Sequence, residues 1–307
     1  MYAEPPPSCP DPYARAPRAP GGAQAARLHL PPPALQGALI AVVSRDTRGL
    51  GLDGAQRLTH LSASPLLTLS WFDSDTLGIV ERGEDGPCWH PLRAQVALGG
   101  SQSRPLASWG PREGRGGFLC MTADVARHLF GIDPAALQDQ VVDAAAVLDA
   151  GWQPLFRALV AAPDDAALLA ALEQHLAPRW QALRGRASAA PTLEQVGRHW
   201  VQRLARQAHE WRRTHSARQV ERRVRAYSGR SLREWQALVR SEGVFFAARA
   251  RFEAGLPFDW AGIAHDEGFA DQAHLSRVSK AITGFSPSEF ARRFGEDESF
   301  WLYRLWI

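Results

Sequence analysis

Of the 35 basic residues in this 307-residue sequence only one, Lys280, is a lysine, and cysteine (three), tyrosine (four) and methionine (two) are equally sparse. The thiols, Cys9, Cys88 and Cys120, are odd in number and form no CxxC pair, which excludes a disulfide scaffold and a zinc knuckle; they read as reduced and structural. No apolar run reaches the roughly 18 residues that cross a bilayer, and the start lacks the basic-then-apolar order of a signal peptide. No membrane partner is expected, and a cytoplasmic location follows by default. HxH, HExxH, GxSxG, a Walker loop and a GxGxxG leading into a helix are all missing, so zinc-peptidase, hydrolase and nucleotide chemistry have no motif to rest on. Cys88-Trp89-His90 offers one close ligand pair, short of a tetrahedral site, and Cys120 beside Met121 reads as an inert buried thiol. No catalytic residue, metal ligand or cofactor is assigned, and the chain reads as a non-enzyme.

What is present is an ordinary globular composition, 45% hydrophobic and 22% charged, with a lopsided charge distribution. Residues 1–190 hold 16 basic against 18 acidic side chains, whereas 198–293 hold 18 against 10. A C-terminal third carrying +8 inside a chain of only +3 points to an anionic partner, most often nucleic acid.

The length accommodates two domains. Seven prolines between Pro5 and Pro20, with few large apolar groups, suggest a disordered tail over 1–27. Short apolar or alternating segments at 38–43, 66–72, 77–81, 95–98, 106–109 and 118–121, separated by Gly, Pro and Asp, predict a small antiparallel β unit. Helical spacing takes over from Thr122, through Val125 and Leu129, Trp152, Phe156 and Leu159, then Leu168, Leu172, Leu176 and Trp180. Gly185 to Pro191 reads as a linker, beyond which no convincing strand follows. Thr192 with Gln195, Ser231 with Glu234, and Ser286-Pro287 with Glu289 sign three helix starts, and Gly229, Gly255 and Gly284 punctuate helix ends.

The densest signal lies between Asp259 and Phe290. A short helix capped by Asp259, a turn at Gly268 and a second helix from about Ala270 make a helix-turn-helix, in which small Ala264 lets the helices approach. Leu275, Val278 and Ile282 share one arc of the second helix; Gln272, Ala273, Ser276, Arg277 and Lys280 share another, free to read a major groove. Upstream, Val220, Val224 and Tyr227 lie on one face and Arg218, Glu221, Arg222 and Arg225 on the opposite one, so a second reading helix is expected over 216–229. Glu221 could accept from cytosine, though pairing with Arg218 or Arg225 along the helix is the favoured reading. The stretch 231–254 is long enough for one connecting helix of about 35 Å.

Ile263-Ala264, Gly268-Phe269-Ala270-Asp271-Gln272, His274-Leu275-Ser276-Arg277, Lys280, Thr283-Gly284 and Ser286-Pro287-Ser288-Glu289-Phe290 resemble, in order and spacing, the signature of the AraC/XylS family of bacterial transcription regulators. The resemblance covers about 192–294 and implies paired helix-turn-helix subdomains on double-stranded promoter DNA. By position it gives DNA contacts to Gln272, Ala273, Ser276 and Arg277, with Lys280 beside them, and to Arg218, Glu221, Arg222 and Arg225. The turn and core fall on Ile263, Ala264, Gly268, Phe269, Leu275, Gly284 and Pro287. Ser279 stands near where the family carries phenylalanine, which predicts weaker packing of that helix, and Glu210 and Thr214 depart from the first motif.

The fold expected is therefore an α+β N-terminal sensor-like domain over 28–186, with antiparallel strands then helices, for effector binding or dimerisation. An all-α double helix-turn-helix domain follows over 192–294, and an apolar tail over 295–307 that folds back on the core. The function expected is activation or another control of transcription. RNA polymerase, an unknown small-molecule effector and a second copy of the chain are the further candidate partners. A helical protein-interaction regulator and an N-terminal enzyme with a DNA-targeting module remain the alternatives.

Overall fold

The computed structural model describes residues 9–74, 77–183, 196–228, 231–236, 239, 244, 247, 250–251, 254–256, 259–266 and 268–306, the side chains of 196–200, 203, 227 and 306 excepted. The linker at 185–191, the Thr192–Gln195 pair and Gly229 lie outside the described residues.

Among the described residues, ten strands form the N-terminal part: β1 Ala26–His29, β2 Ala41–Asp46, β3 Leu58–Leu61, β4 Leu67–Phe72, β5 Gly78–Gly83, β6 Gly86–Pro91, β7 Val96–Gly99, β8 Leu106–Trp109, β9 Arg115–Met121 and β10 Val141–Asp143. They make a six-stranded sheet in the order β1-β2-β9-β4-β7-β10 and a four-stranded sheet in the order β3-β8-β5-β6. Every pairing among these strands is antiparallel. Period-two alternation decides the faces. In β4, Leu67, Leu69 and Trp71 are buried while Thr68, Ser70 and Phe72 are half-buried. The buried set packs on α1 (Ala123–Phe130), α3 (Gln153–Ala161) and α4 (Asp165–Leu183), with the short α2 (Ala144–Val147) beside β7. The half-buried set faces the smaller sheet across a cavity. Each large apolar side chain fully removed from water here contributes roughly 1.5–3 kcal/mol.

The C-terminal part is helical among the described residues: α5 Val196–Trp211, α6 Ala217–Ser228, α7 Trp260–Asp266, α8 Gln272–Thr283, α9 Pro287–Glu296 and α10 Trp301–Trp306. Positions 232–236, 239, 244, 247, 250 and 251, within the expected connecting helix, are helical too. The architecture is α+β followed by all-α, and one large apolar cluster runs from Leu35, Trp71 and Leu119 through Trp180 to Val224, Trp235 and Ile282, with smaller clusters beside it.

The expected disordered tail differs from what is observed at 9–25. Ala16 is fully buried, Pro17 forms a β-bridge with Asp297, and the Glu298 N–H donates to the Ala16 carbonyl at 2.5 Å. Two buried carboxylates explain the ordering. Asp297 receives Arg15 at 2.9 Å and Arg293 at 3.1 Å, and Glu298 receives Arg45 at 2.7 Å and the Ala19 N–H at 3.2 Å. The prolines already restrict the unfolded chain, so little entropy opposes docking. The apolar C-terminal segment folds back as well: Trp301 packs with Ala26 and Val43, and its indole N–H donates to Thr59 Oγ1 at 2.9 Å.

Candidate nucleic-acid interface

The helix-turn-helix expected from Asp259 onward corresponds to α7, its turn, and α8. Asp259 caps α7 by accepting the Gly262 N–H at 2.9 Å. At the turn Gly268 has φ +75°, the Phe269 N–H donates to Ala264 O at 2.7 Å, and the Gly268 N–H donates to His265 O at 3.0 Å. These two bonds define a Schellman end, which needs a left-handed residue and favours glycine. Phe269, Ala264, Ile263, Trp260 and Leu275 then close one small core with Val244.

The second helix starts at Gln272, two residues later than its pattern suggests, because the Asp271 carboxylate accepts the His274 N–H at 2.6 Å and acts as N-cap. Gln272, Ala273, Arg277 and Lys280 are exposed, Ser276 is half-buried, and Leu275 and Ile282 are buried. The arc drawn from the sequence is thus one solvent-facing stripe. Its opposite end is tethered: Ile282 O accepts the Ala63 N–H at 2.8 Å, and Gly284 ends the helix at φ +84°. The tether lies at the C-terminal end of α8, while the exposed stripe runs from Gln272 to Lys280.

Ser279 does not loosen this helix as expected. It is 1% exposed and donates to Phe285 O at 2.9 Å, while Thr283 Oγ1 donates to Ser279 O at 2.8 Å and accepts the Phe285 N–H at 3.1 Å. A polar network finishes the helix, and Phe285, Phe290, Phe300 and Tyr303 supply the bulk from another direction. Ser286 and Pro287 open α9 with the expected cap, the Glu289 N–H donating to Ser286 Oγ at 3.3 Å.

In the first motif Ser216 and Gln219 cap α6 reciprocally. Val220 and Val224 are buried on the 3-10 turn Pro134–Leu137, whereas Arg218, Glu221, Arg222 and Arg225 are all exposed. Glu221 accepts from Arg225 at 3.4 Å, and Arg225 also lies 3.6 Å from Glu234, so Arg225 is pulled back along its own face. Arg218 and Arg222 are left as the freer cations of this helix. Ser228 Oγ accepts the Trp235 indole N–H at 2.9 Å, fixing the exit of α6 against a fully buried tryptophan.

No family model matches the chain, and no curated protein matches it. Among solved structures it is similar to an apo variant of ToxT from Vibrio cholerae, at 13% identity and a TM-score of 0.39 over 82% of this chain and 96% of that one. An unsaturated fatty acid-bound ToxT from the same organism matches at 14% identity and a TM-score of 0.34, over 76% and 93%. At such identity and overlap these likenesses carry no argument about what the chain binds.

Sequence reasoning missed the cavity between the two sheets, about 310 Å³. Thr59, Ser70, Ile79, Leu106, Ser108 and Phe118 line it, and Ile282 of α8 and Trp301 of α10 reach its wall. Its signal in the sequence is the half-polar inner face of each strand, such as Thr68 and Ser70 in β4, which a search for motifs passes over. Cys88, by contrast, is exposed on edge strand β6. Cys120 is buried, and burial pushes its thiol up to about 12, as befits an inert thiol. Among the described residues no helix is long and apolar enough to cross a membrane, and no cluster of side chains could hold a metal ion.

Proposed function

We propose that this chain is a sequence-specific, DNA-binding transcription regulator of the AraC/XylS type, whose N-terminal part governs two helix-turn-helix heads within about 192–294. The observation that carries the reading is the stripe of Gln272, Ala273, Ser276, Arg277 and Lys280, standing on a capped helix whose other face is buried and whose far end is held. Arginine matches guanine bidentately and glutamine matches adenine; Gln272 opens α8 and Arg277 stands midway along it. Lys280 and the α6 residues Arg218 and Arg222 supply phosphate neutralisation and register. Glu221 and Arg225, paired with each other, hold the shape of the first head. The inter-sheet cavity takes a small-molecule effector, and RNA polymerase and a second copy of the chain are the further partners this reading carries.

The test is selection of bound sequences from random duplex DNA, followed by affinity at several salt concentrations. A bipartite site spanning about two helical turns is expected, with binding that weakens steeply as salt rises. Arg277→Ala should cost about 1–3 kcal/mol on the preferred site and relax the preference at one base pair. No enriched sequence, or equal loss on cognate and mismatched sites, overturns the assignment of that residue to base reading.

A further inference from the structure

Two loops of the N-terminal part hold two helices of the C-terminal part. The loop from β3 to β4 holds α8, where the N–H of buried Ala63 donates to Ile282 O at 2.8 Å. The 3-10 turn Pro134–Leu137 holds α6, because Leu137 shares a buried cluster with Val220 and Val224. Between these two clamps runs the connection from β7 to β8, residues 100–105, which passes from the larger sheet to the smaller one. Gln102, at its centre, bonds to both sides. Its backbone exchanges two hydrogen bonds with Ser64, one residue from the α8 tether: the Gln102 N–H donates to Ser64 O at 2.8 Å and the Ser64 N–H to Gln102 O at 3.0 Å. Its side-chain amide donates to Gly100 O at 3.0 Å and to Gln140 O at 3.3 Å, and the Gln140 N–H donates in turn to Leu137 O at 3.0 Å.

The contact between this connection and the α6 clamp is close and over-determined. A Cβ added at Gly100 would collide with Leu137 O, so the two backbones touch at that point. Asp139 adopts φ +58°, a left-handed conformation that costs a non-glycine residue free energy and persists only where its surroundings hold it. The connection does the holding: the Asp139 N–H donates to Ser101 O at 2.9 Å, and its carboxylate accepts the Ser103 N–H. Toward α8 the contact is repeated, since Pro105 Cγ lies 3.6 Å from the position that a Cβ on Gly284 would take. We propose that the 100–105 connection sets the placement of α6 relative to α8, with Gly100 and Gln102 as its positioning residues, and so fixes the spacing of the two DNA half-sites that the chain accepts. Only the half-site consequence rests on the proposed function; the placement of the helices does not. The rival determinant is the 231–254 stretch, which joins the two helices along the chain.

Spin labels report the separation without DNA. They are placed on exposed Ala226 of α6 and Ala281 of α8 through Ala226→Cys and Ala281→Cys, in the full chain carrying Cys9→Ser and Cys88→Ser, and their distance is read by pulsed electron paramagnetic resonance. A control pair on exposed Arg157 of α3 and Gln174 of α4 reports the N-terminal part alone. Gly100→Ala should move the mean distance from α6 to α8 by about 1–2 Å, the retreat a new Cβ needs to reach ordinary contact. Gln102→Ala, which removes only the side-chain bonds, should broaden the distribution, and it carries the test alone where Gly100→Ala does not fold. The control pair should stay unchanged. In DNA binding, moving one half-site by a base pair shifts it by about 3.4 Å. The unaltered chain is expected to prefer one spacing by about tenfold, and Gln102→Ala to reduce this below about threefold while the base preference inside each half is kept. Unchanged distances between α6 and α8 overturn the proposal and leave their placement to the 231–254 stretch; a control pair that changes as much overturns it by making the connection a general brace. Distances that change as expected with no spacing preference, or with no enriched sequence, count against the regulator reading and leave the positioning role standing.

Discussion

His60 on β3 is buried between the rings of Phe285 and Phe300, at centroid distances of 5.1 and 5.2 Å, and among the described residues its Nε2 has no hydrogen-bond partner. Burial, and secondarily the positive charge of Arg293, lowers its pKa from 6.5 to about 3. The folded protein therefore holds this ring neutral at pH values where the unfolded chain would protonate it. The sign follows from proton counting: below about pH 6.5 the unfolded state binds a proton that the native state refuses, so stability falls as pH falls, until the native ring titrates near pH 3. The slope from this one group approaches about 1.4 kcal/mol per pH unit in that window. His60→Leu is expected to flatten the decline between pH 6 and 4 by roughly that amount, read from urea unfolding at several pH values. An identical pH slope in the variant would place the acid sensitivity elsewhere. The same ring also reports position, since it joins the smaller sheet to the end of the second helix-turn-helix.

Between α7 and α8 the chain reverses on one left-handed residue, and that is where the element is most exposed to substitution. A Cβ at Gly268 meets no atom within 4 Å, so Gly268→Ala is a test of backbone conformation alone. It should cost about 1–2 kcal/mol, and Gly268→Asn, whose side chain tolerates the left-handed region, should cost less. Thermal unfolding of the two variants checks the order; equal losses would mean the turn relaxes to another conformation. This turn and its caps were legible in the sequence because local chemistry decides them: Asp259, Gly268, Gly284 and Ser286 act on neighbours within a few residues. So were the strands at 66–72 and 106–109, where alternation or apolar runs stand between clear breaks. β6, with Pro87 and Pro91 in Gly86–Pro91, reads poorly as a strand and is tolerated because it is the edge of its sheet. β10 is three residues set among helices, and its pairing with β7 is a tertiary choice invisible locally. The packing of 9–25 on Asp297 and Glu298 was hidden for the same reason, since its partners lie about 280 residues away. On the candidate interface the exposed arc of α8 followed from helical period, whereas the inter-sheet cavity could be found only once the two sheets had formed.

At the scale of the whole molecule the C-terminal helices and the sheets share a core. Phe285 rests on His60 and Phe300, Ile282 belongs to the cluster that includes Leu67 and Trp71, and Val220 and Val224 of α6 join that cluster with Leu137. Each such side chain contributes roughly 1.5–3 kcal/mol when fully buried. Exposing four of them removes on the order of 6–12 kcal/mol, which is comparable to the roughly 5–15 kcal/mol net stability of a typical folded protein. The segment 192–294, cut away from its partners, is therefore expected to lose cooperative folding. Circular dichroism should show helix without a sharp thermal transition, and the tryptophan near-ultraviolet signal should collapse, while the full chain melts in one step. A fragment that melts sharply within a few degrees of the full chain would show that the C-terminal helices are self-sufficient and that the shared cluster is a dispensable contact. The distinction bears on control. Helices whose core is completed by the sheets cannot be repositioned without remaking that core, so anything that changes the cavity wall at Ile282 or Trp301 acts directly on how firmly α8 is held.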